Sequence, residues 1–285
     1  MARESIEAVG LTDAGNLRQF NEDRIVVASE IGVLALADGM GGHAAGEIAS
    51  HMAAEVVVDC LRSHLADSGA AAAQHSPLLA VDKSINQANR AIYEVARASA
   101  SRTGMGTTLA VALFHAGGIV IAHVGDSRIY RLRDGGLELL TRDDSLLRQQ
   151  VETGLIGASD IADSHNRSFV TQALGVAEDV DAHARDVDAL PGDVLLLCSD
   201  GLNDLVDDDD IELILQSLSG NLALAAQLLV QTAKDNGGYD NVSVILARAA
   251  RKPANPRRGA WLARLARWFR RRHSPHAGPS ERDPL

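Results

Sequence analysis

Cysteine is nearly absent from these 285 residues, which hold only Cys60 and Cys198. Cys60 falls in a stretch of helical pattern and Cys198 in the apolar run 194–199, so both read as small buried hydrophobes and imply no disulfide framework. No His/Cys cluster has zinc-ligand spacing, which disfavours a zinc site. No apolar run approaches the roughly 20 residues of a membrane span. The opening Met1-Ala2-Arg3-Glu4-Ser5 has no apolar segment of signal type, so the expectation is a cytoplasmic protein. Positive charge is scarce in the body. Residues 251–285 hold 10 Lys/Arg and 2 Asp/Glu, leaving 17 against 36 for residues 1–250. The body therefore carries about −19 and the tail about +8. An acidic body argues against nucleic acid as a partner and suits clustered carboxylates around divalent cations. With 46% apolar and 23% charged residues the chain buries a substantial core.

Alternating βαβ order is missing too, which removes a doubly wound parallel sheet. Short β-branched runs at 6–12, 24–29 and 31–37 read as strands, and 45–66 and 78–100 as helices with apolar positions on one face. A meander follows at 107–115, 118–125, 127–133 and 137–141, with Asp134-Gly135-Gly136 as a plain hairpin turn. Residues 142–153 look helical and 154–168 look like a polar loop or flap. Strands at 182–188 and 193–199, helices at 207–218 and 221–235, and a strand at 241–248 complete the pattern. The run Asp207–Asp210 reads as a helix start, with Asp207 as N-cap. Strand blocks with helices outside predict an α+β fold, a four-layer α/β/β/α sandwich of two mainly antiparallel sheets.

Four aspartates stand at the ends of apolar runs: Asp38, Asp126, Asp200 and Asp240. Any one Asp-Gly pair is most simply a turn. Four carboxylates delivered at strand tips suggest one shared metal site. Around them lie the segments Asn16–Arg24, Ala37-Asp38-Gly39-Met40-Gly41-Gly42-His43, Gly125-Asp126-Ser127-Arg128-Ile129-Tyr130, Ser199-Asp200-Gly201-Leu202 and Gly237-Gly238-Tyr239-Asp240-Asn241-Val242-Ser243. With these five segments in this order, over about residues 5–248, the chain resembles the protein phosphatase 2C family of metal-dependent Ser/Thr protein phosphatases, in its bacterial form. Thr107-Thr108 and the segment 171–175 also match. Asp144 stands where relatives often carry His, and Asn203 where Thr is frequent.

The resemblance implies a phosphatase domain over 1–250 that hydrolyses phosphoserine and phosphothreonine in proteins, opposing a bacterial Ser/Thr kinase. Water activated at a binuclear Mg²⁺ or Mn²⁺ centre would do the hydrolysis, with two or three ions per chain. Asp38 would bridge two metals, with the Gly39 carbonyl on one and Asp200 and Asp240 on the other. Asp126 would hold a third ion together with Asp200. Asp23 would act through a coordinated water, with Glu22 a weaker candidate for a similar place. Arg18 would grip the phosphoryl oxygens, unless it is a surface partner of Glu22 or Asp23. His43 would protonate the leaving oxygen, unless it is a loop residue; the other histidines show no metal spacing. The rival readings are an inactive phosphopeptide-binding scaffold and a two-metal hydrolase of another phosphate ester.

The tail, 251–285, is a basic linker and helix. After Pro253-Ala254-Asn255-Pro256, the residues Trp261, Leu262, Leu265, Trp268 and Phe269 share an arc of about 120° on a helical wheel, with Arg264, Arg267, Arg270 and Arg271 opposite. Such a helix over 257–272 suits peripheral contact with the inner membrane face or with a partner. The alternatives are docking on the chain's own acidic body or on another subunit, and a disordered basic tail.

Overall fold

In the run Val33–Ala37 every residue is apolar, so a strand there has no face to give to water. The computed structural model describes residues 6–41, 44–67, 76–99, 102, 104–156 and 169–249, and in it this strand is buried on both sides. Val33, Ala35 and Ala37 join a core with helices, while Leu34 and Leu36 join a core with a second sheet. The period-2 alternation of side chains sorts one strand between two cores.

The first half of the chain runs β1 (Ile6–Asp13), β2 (Asp23–Ala28), β3 (Val33–Met40), α1 (Ala44–Asp67), α2 (Pro77–Arg97), β4 (Gly106–Thr107) and β5 (Leu109–His115). The middle contributes β6 (Gly118–Val124), β7 (Arg128–Arg133), β8 (Gly136–Leu139), α3 (Leu146–Glu152) and β9 (Arg185–Val187). The last part is β10 (Val194–Cys198), α4 (Asp200–Asn203), α5 (Asp208–Leu218), α6 (Leu222–Asp235) and β11 (Val242–Ala249). One sheet has the order β1-β11-β10-β7-β8, the other β2-β3-β5-β6-β9, with β4 paired to β3. Every pairing in both sheets is antiparallel.

Leu34, Leu36, Ile121, Ile129, Leu197 and Ile245 fill the space between the sheets; each side chain so buried contributes roughly 1.5–3 kcal/mol. Helices α1 and α2 cover one outer face, and α5 and α6 cover the other. This is the four-layer sandwich expected from the sequence. Pro77 opens α2, where its missing N–H costs nothing. Asp207 caps α5 by accepting from Asp210 N at 2.8 Å, as read from the acidic run.

Three elements differ from expectation. The predicted strand 107–115 is interrupted at Thr108, whose N–H donates to Asp38 O at 2.8 Å and whose Oγ1 accepts from Asp38 N at 3.0 Å. The predicted helix 142–153 shrinks to α3, because Asp143 is held by Arg128 and Asp144 by Gly125 N. Ser145 then caps α3 by accepting from Arg148 N at 3.2 Å. The strand predicted at 182–188 forms only over Arg185–Val187. Most of the predicted flap, residues 157–168, lies outside the described residues, as does the tail; the described residues belong to a unit spanning Met1–Arg251. Among them no helix is long and apolar enough to cross a membrane.

Candidate metal centre

Asp38 lies opposite Asp23 in the β2–β3 ladder, so both carboxylates leave the same end of one sheet. In the same sheet β6 stops at Val124, and Gly125, at φ +96°, turns the chain into Asp126. A Cβ on Gly125 would lie 2.8 Å from Thr108 Cγ2, so glycine alone meets both demands. In the facing sheet, Ser199 N donates to Ser243 O at 3.1 Å, which places Asp200 and Asp240 at the matching ends of β10 and β11. Gly39 is pressed between α1 and the N-terminal loop: its Cβ would lie 2.2 Å from Gly46 O and 2.7 Å from Glu22 O.

The loop carrying Arg18 is tied down by Asn241. That side chain accepts from Glu22 N at 2.8 Å and donates to Phe20 O at 3.0 Å and Ala14 O at 3.2 Å. Arg18 then reaches Asp240, with Nη2 2.7 Å from Oδ2, and its charge also faces those of Glu22 and Asp38. Its side chain is 52% exposed, so it stands at the rim.

The charges crowd one another. Burial raises the Asp38 carboxyl well above its ordinary value, and Asp23, Asp200, Asp126 and Asp240 push the same way. Asp200 is raised by burial and then by Asp126, Asp204 and Asp240. Burial and then Asp143 bring Asp126 to about 7. Asp23 rises to about 6 through burial, opposed by the hydroxyls of Ser243 and Ser199, which donate to its Oδ2 at 2.6 and 2.8 Å. Asp23 Oδ1 and Asp200 Oδ1 are buried without a hydrogen-bond partner. Unpaired buried carboxylate oxygens beside like charges are costly unless a cation joins them. An all-oxygen donor set suits a hard ion such as Mg²⁺ or Mn²⁺.

The sequence profile of the family described as protein phosphatase 2C matches residues 17–235. This chain belongs to the protein phosphatase 2C family. It is 35% identical over 238 residues to the serine/threonine phosphatase stp of Listeria innocua serovar 6a, covering 82% of this chain and 92% of that one. It is 39% identical over 238 residues to the serine/threonine protein phosphatase PstP of Mycobacterium tuberculosis, covering 83% of this chain but 43% of PstP. The crystal structure of M. tuberculosis PstP/Ppp superposes with a TM-score of 0.77 at 36% identity, over 86% of this chain and 99% of that one. A structure of the PstP catalytic domain in complex with two manganese ions superposes with a TM-score of 0.71 at 36% identity, over 85% of this chain and 97% of that one.

In this phosphatase 2C chain the structure gathers Asp23, Asp38, Asp126, Asp200 and Asp240 at one end of the sandwich, with Arg18 and Glu22 beside them and Gly39 in the wall. His43 lies outside the described residues. Several supporting residues escaped the sequence reading. Asp204 lies one turn along α4 from Asp200, and the i,i+4 spacing was the available signal. Ser199, Ser243 and Asn241 lie inside the segments that carry the resemblance, but their contacts span long sequence separations that no local pattern reveals. Thr107 Oγ1 donates to Asp38 O at 2.8 Å and joins Thr108 in fixing the strand tip. A second grouping, His123 with Asp144 and His183, lies outside the predicted ligand set altogether.

Proposed function

We infer that this chain is a metal-dependent protein-serine/threonine phosphatase that hydrolyses phosphoserine and phosphothreonine in proteins. The observation that carries the reading is the carboxylate cluster with buried, unpaired oxygens on Asp23 and Asp200, set beside an exposed guanidinium. Two Mn²⁺ or Mg²⁺ ions bound there would supply the positive charge that lowers the pKa of water and neutralises the phosphoryl oxygens.

The residues divide the remaining work. Asp38, the Gly39 carbonyl, Asp200 and Asp240 would hold the ions, and Asp126 with Asp200 would hold a third. Asp23 keeps Oδ2 on two serine hydroxyls, so Oδ1 stays aimed and ready to accept a proton or orient a water. Glu22 serves beside it. Arg18 has N–H groups left over from its Asp240 contact and clamps the phosphoryl oxygens of the substrate. His43 donates a proton to the departing serine or threonine oxygen. The ladder from Thr107 and Thr108 to Asp38 keeps the strand tip from relaxing when charges change.

An inactive scaffold is the weaker reading, because binding a phosphopeptide gives no reason to keep buried like-charged carboxylates. The enzyme acts in the cytoplasm against the products of a Ser/Thr kinase. Its basic tail, 257–272, makes a peripheral contact with an anionic membrane or a partner; co-sedimentation of the intact chain and of residues 1–252 with anionic liposomes tests this. Phosphate release from phosphothreonine, phosphotyrosine and small-ester substrates with Mn²⁺ tests the reaction. Turnover confined to the small esters would overturn the protein-phosphatase reading.

A further inference from the structure

His123, Asp144 and His183 belong to separate stretches of chain, yet each offers a ligand atom, and these atoms all lie within 4.8 Å of one another. His123 lies on β6 and is 4% exposed. Its Nε2 is 2.7 Å from the Arg142 carbonyl, which only accepts, so Nε2 carries the proton and Nδ1 keeps a free lone pair. Burial also holds this imidazole below its ordinary value, in the neutral form a metal needs. His183 presents Nε2 2.9 Å from Asp144 Oδ1, its backbone N donates to His123 O at 3.1 Å, and the two rings stand 5.0 Å apart. The other Asp144 oxygen, Oδ2, accepts from Gly125 N at 3.0 Å and Gln172 Nε2 at 3.2 Å.

An imidazole that donates its far N–H to a carbonyl, and a carboxylate whose far oxygen is hydrogen-bonded, make the outer shell usual for metal ligands. We propose that His123, Asp144 and His183 form a metal site distinct from the carboxylate centre, taking one Zn²⁺ or a similar borderline divalent ion. Its two nitrogens and one oxygen are softer donors than the all-oxygen centre, so the two sites sort ions by chemistry. A tetrahedral ion about 2.0–2.1 Å from each ligand wants ligand atoms about 3.3 Å apart, so the 4.8 Å limit asks for about 1.5 Å of closing at most. The His183 side chain, 46% exposed and 2.9 Å from Asp144 Oδ1, has the solvent-facing room to make that movement, and water would complete the tetrahedron.

The ion would link three segments. Asp144 N donates to Gly125 O at 2.9 Å, next to Asp126, and Thr171 N donates to Asp144 O at 2.7 Å. Filling the site therefore fastens β6, the stretch before α3 and the stretch at 170–183 to one point.

The test titrates Zn²⁺ into the full chain in saturating Mg²⁺, counting bound zinc by equilibrium dialysis and affinity by calorimetry. His183→Ala removes an exposed ligand, and His123→Gln keeps an N–H for the Arg142 carbonyl while removing the imidazole. The wild-type chain should bind one more zinc than either variant, or bind it about 100-fold more tightly, and melt at a higher temperature with zinc than they do. Cobalt(II) in the same site should give visible bands that both variants lose. Zinc that merely displaces Mg²⁺ from the carboxylate centre would be bound equally by all three proteins, and that result overturns the proposal.

Discussion

Asp126→Asn should stabilise the metal-free protein while impairing the metal-loaded one. Asp126 is 7% exposed, and burial followed by the charge of Asp143 pushes its carboxyl up to about 7. Its unfolded value is about 3.9, so between these limits the native state holds more protons than the unfolded chain. The slope of unfolding free energy with pH is then negative, and this group removes stability as pH climbs from about 4 to 7. Ionising a carboxyl held that high costs at most about 4 kcal/mol at pH 7; water entry and relaxation around the charge bring the effective figure nearer 2 kcal/mol. Asn has the same shape and no charge to bury. In chelator at pH 7 the variant should melt about 4–8 °C above the wild type. At pH 5 the gain should be clearly smaller. In saturating Mn²⁺ the order should reverse, since an ion present at 100 times its dissociation constant adds about 2.7 kcal/mol to the chain that binds it. Thermal melts followed by circular dichroism read all of this. An equal or lower melting temperature for Asp126→Asn in chelator at pH 7, or a gain that does not shrink at pH 5, would refute the electrostatic argument.

Arg18→Ala should raise the KM for a phosphopeptide about tenfold or more with little change in melting temperature, because the Arg18–Asp240 pair is exposed on both sides and worth under about 1 kcal/mol; steady-state kinetics with an unchanged KM would reduce Arg18 to a surface partner. Asn241→Ala removes three hydrogen bonds, from its side chain to Glu22 N, Phe20 O and Ala14 O, so denaturant unfolding should show a loss of about 2–3 kcal/mol together with a KM increase as the Arg18 loop loosens. Gly39→Ala drives a methyl into Gly46 O and should cost about 3 kcal/mol and weaken Mn²⁺ binding measured by calorimetry; a fully stable, metal-binding variant would contradict the close packing.

Much of this was legible because burial writes itself into composition. The run Val33–Ala37, buried on both faces, announced a central strand, and Asp-Gly at its end announced a tip. Four aspartates at such tips pointed to one site, and the structure brings them together with Asp23. What stayed hidden depends on contacts between distant stretches of chain. Asn241 reaches back to the loop at 14–22, and Ser199 and Ser243 converge on Asp23, long-range contacts that the segments around Asp200 and Asp240 do not foretell. The helix expected at 142–153 failed at its start because Asp143 and Asp144 are drawn to Arg128, Gly125 and His183, partners a local propensity does not see. His123 and His183 show no ligand spacing in sequence, and only the β6–β9 side of the sheet brings them to Asp144.

Under the proposed function, the carboxylates at the strand tips would hold the ions that support phosphate hydrolysis. Turnover of a phosphothreonine peptide by wild type, Asp38→Asn and Asp200→Asn, each in Mn²⁺ and in excess chelator, tests it most directly when melts of the same samples are recorded. Turnover is expected only for wild type in Mn²⁺, with both variants still folding cooperatively. Full turnover by Asp38→Asn, or by wild type in chelator, would contradict it.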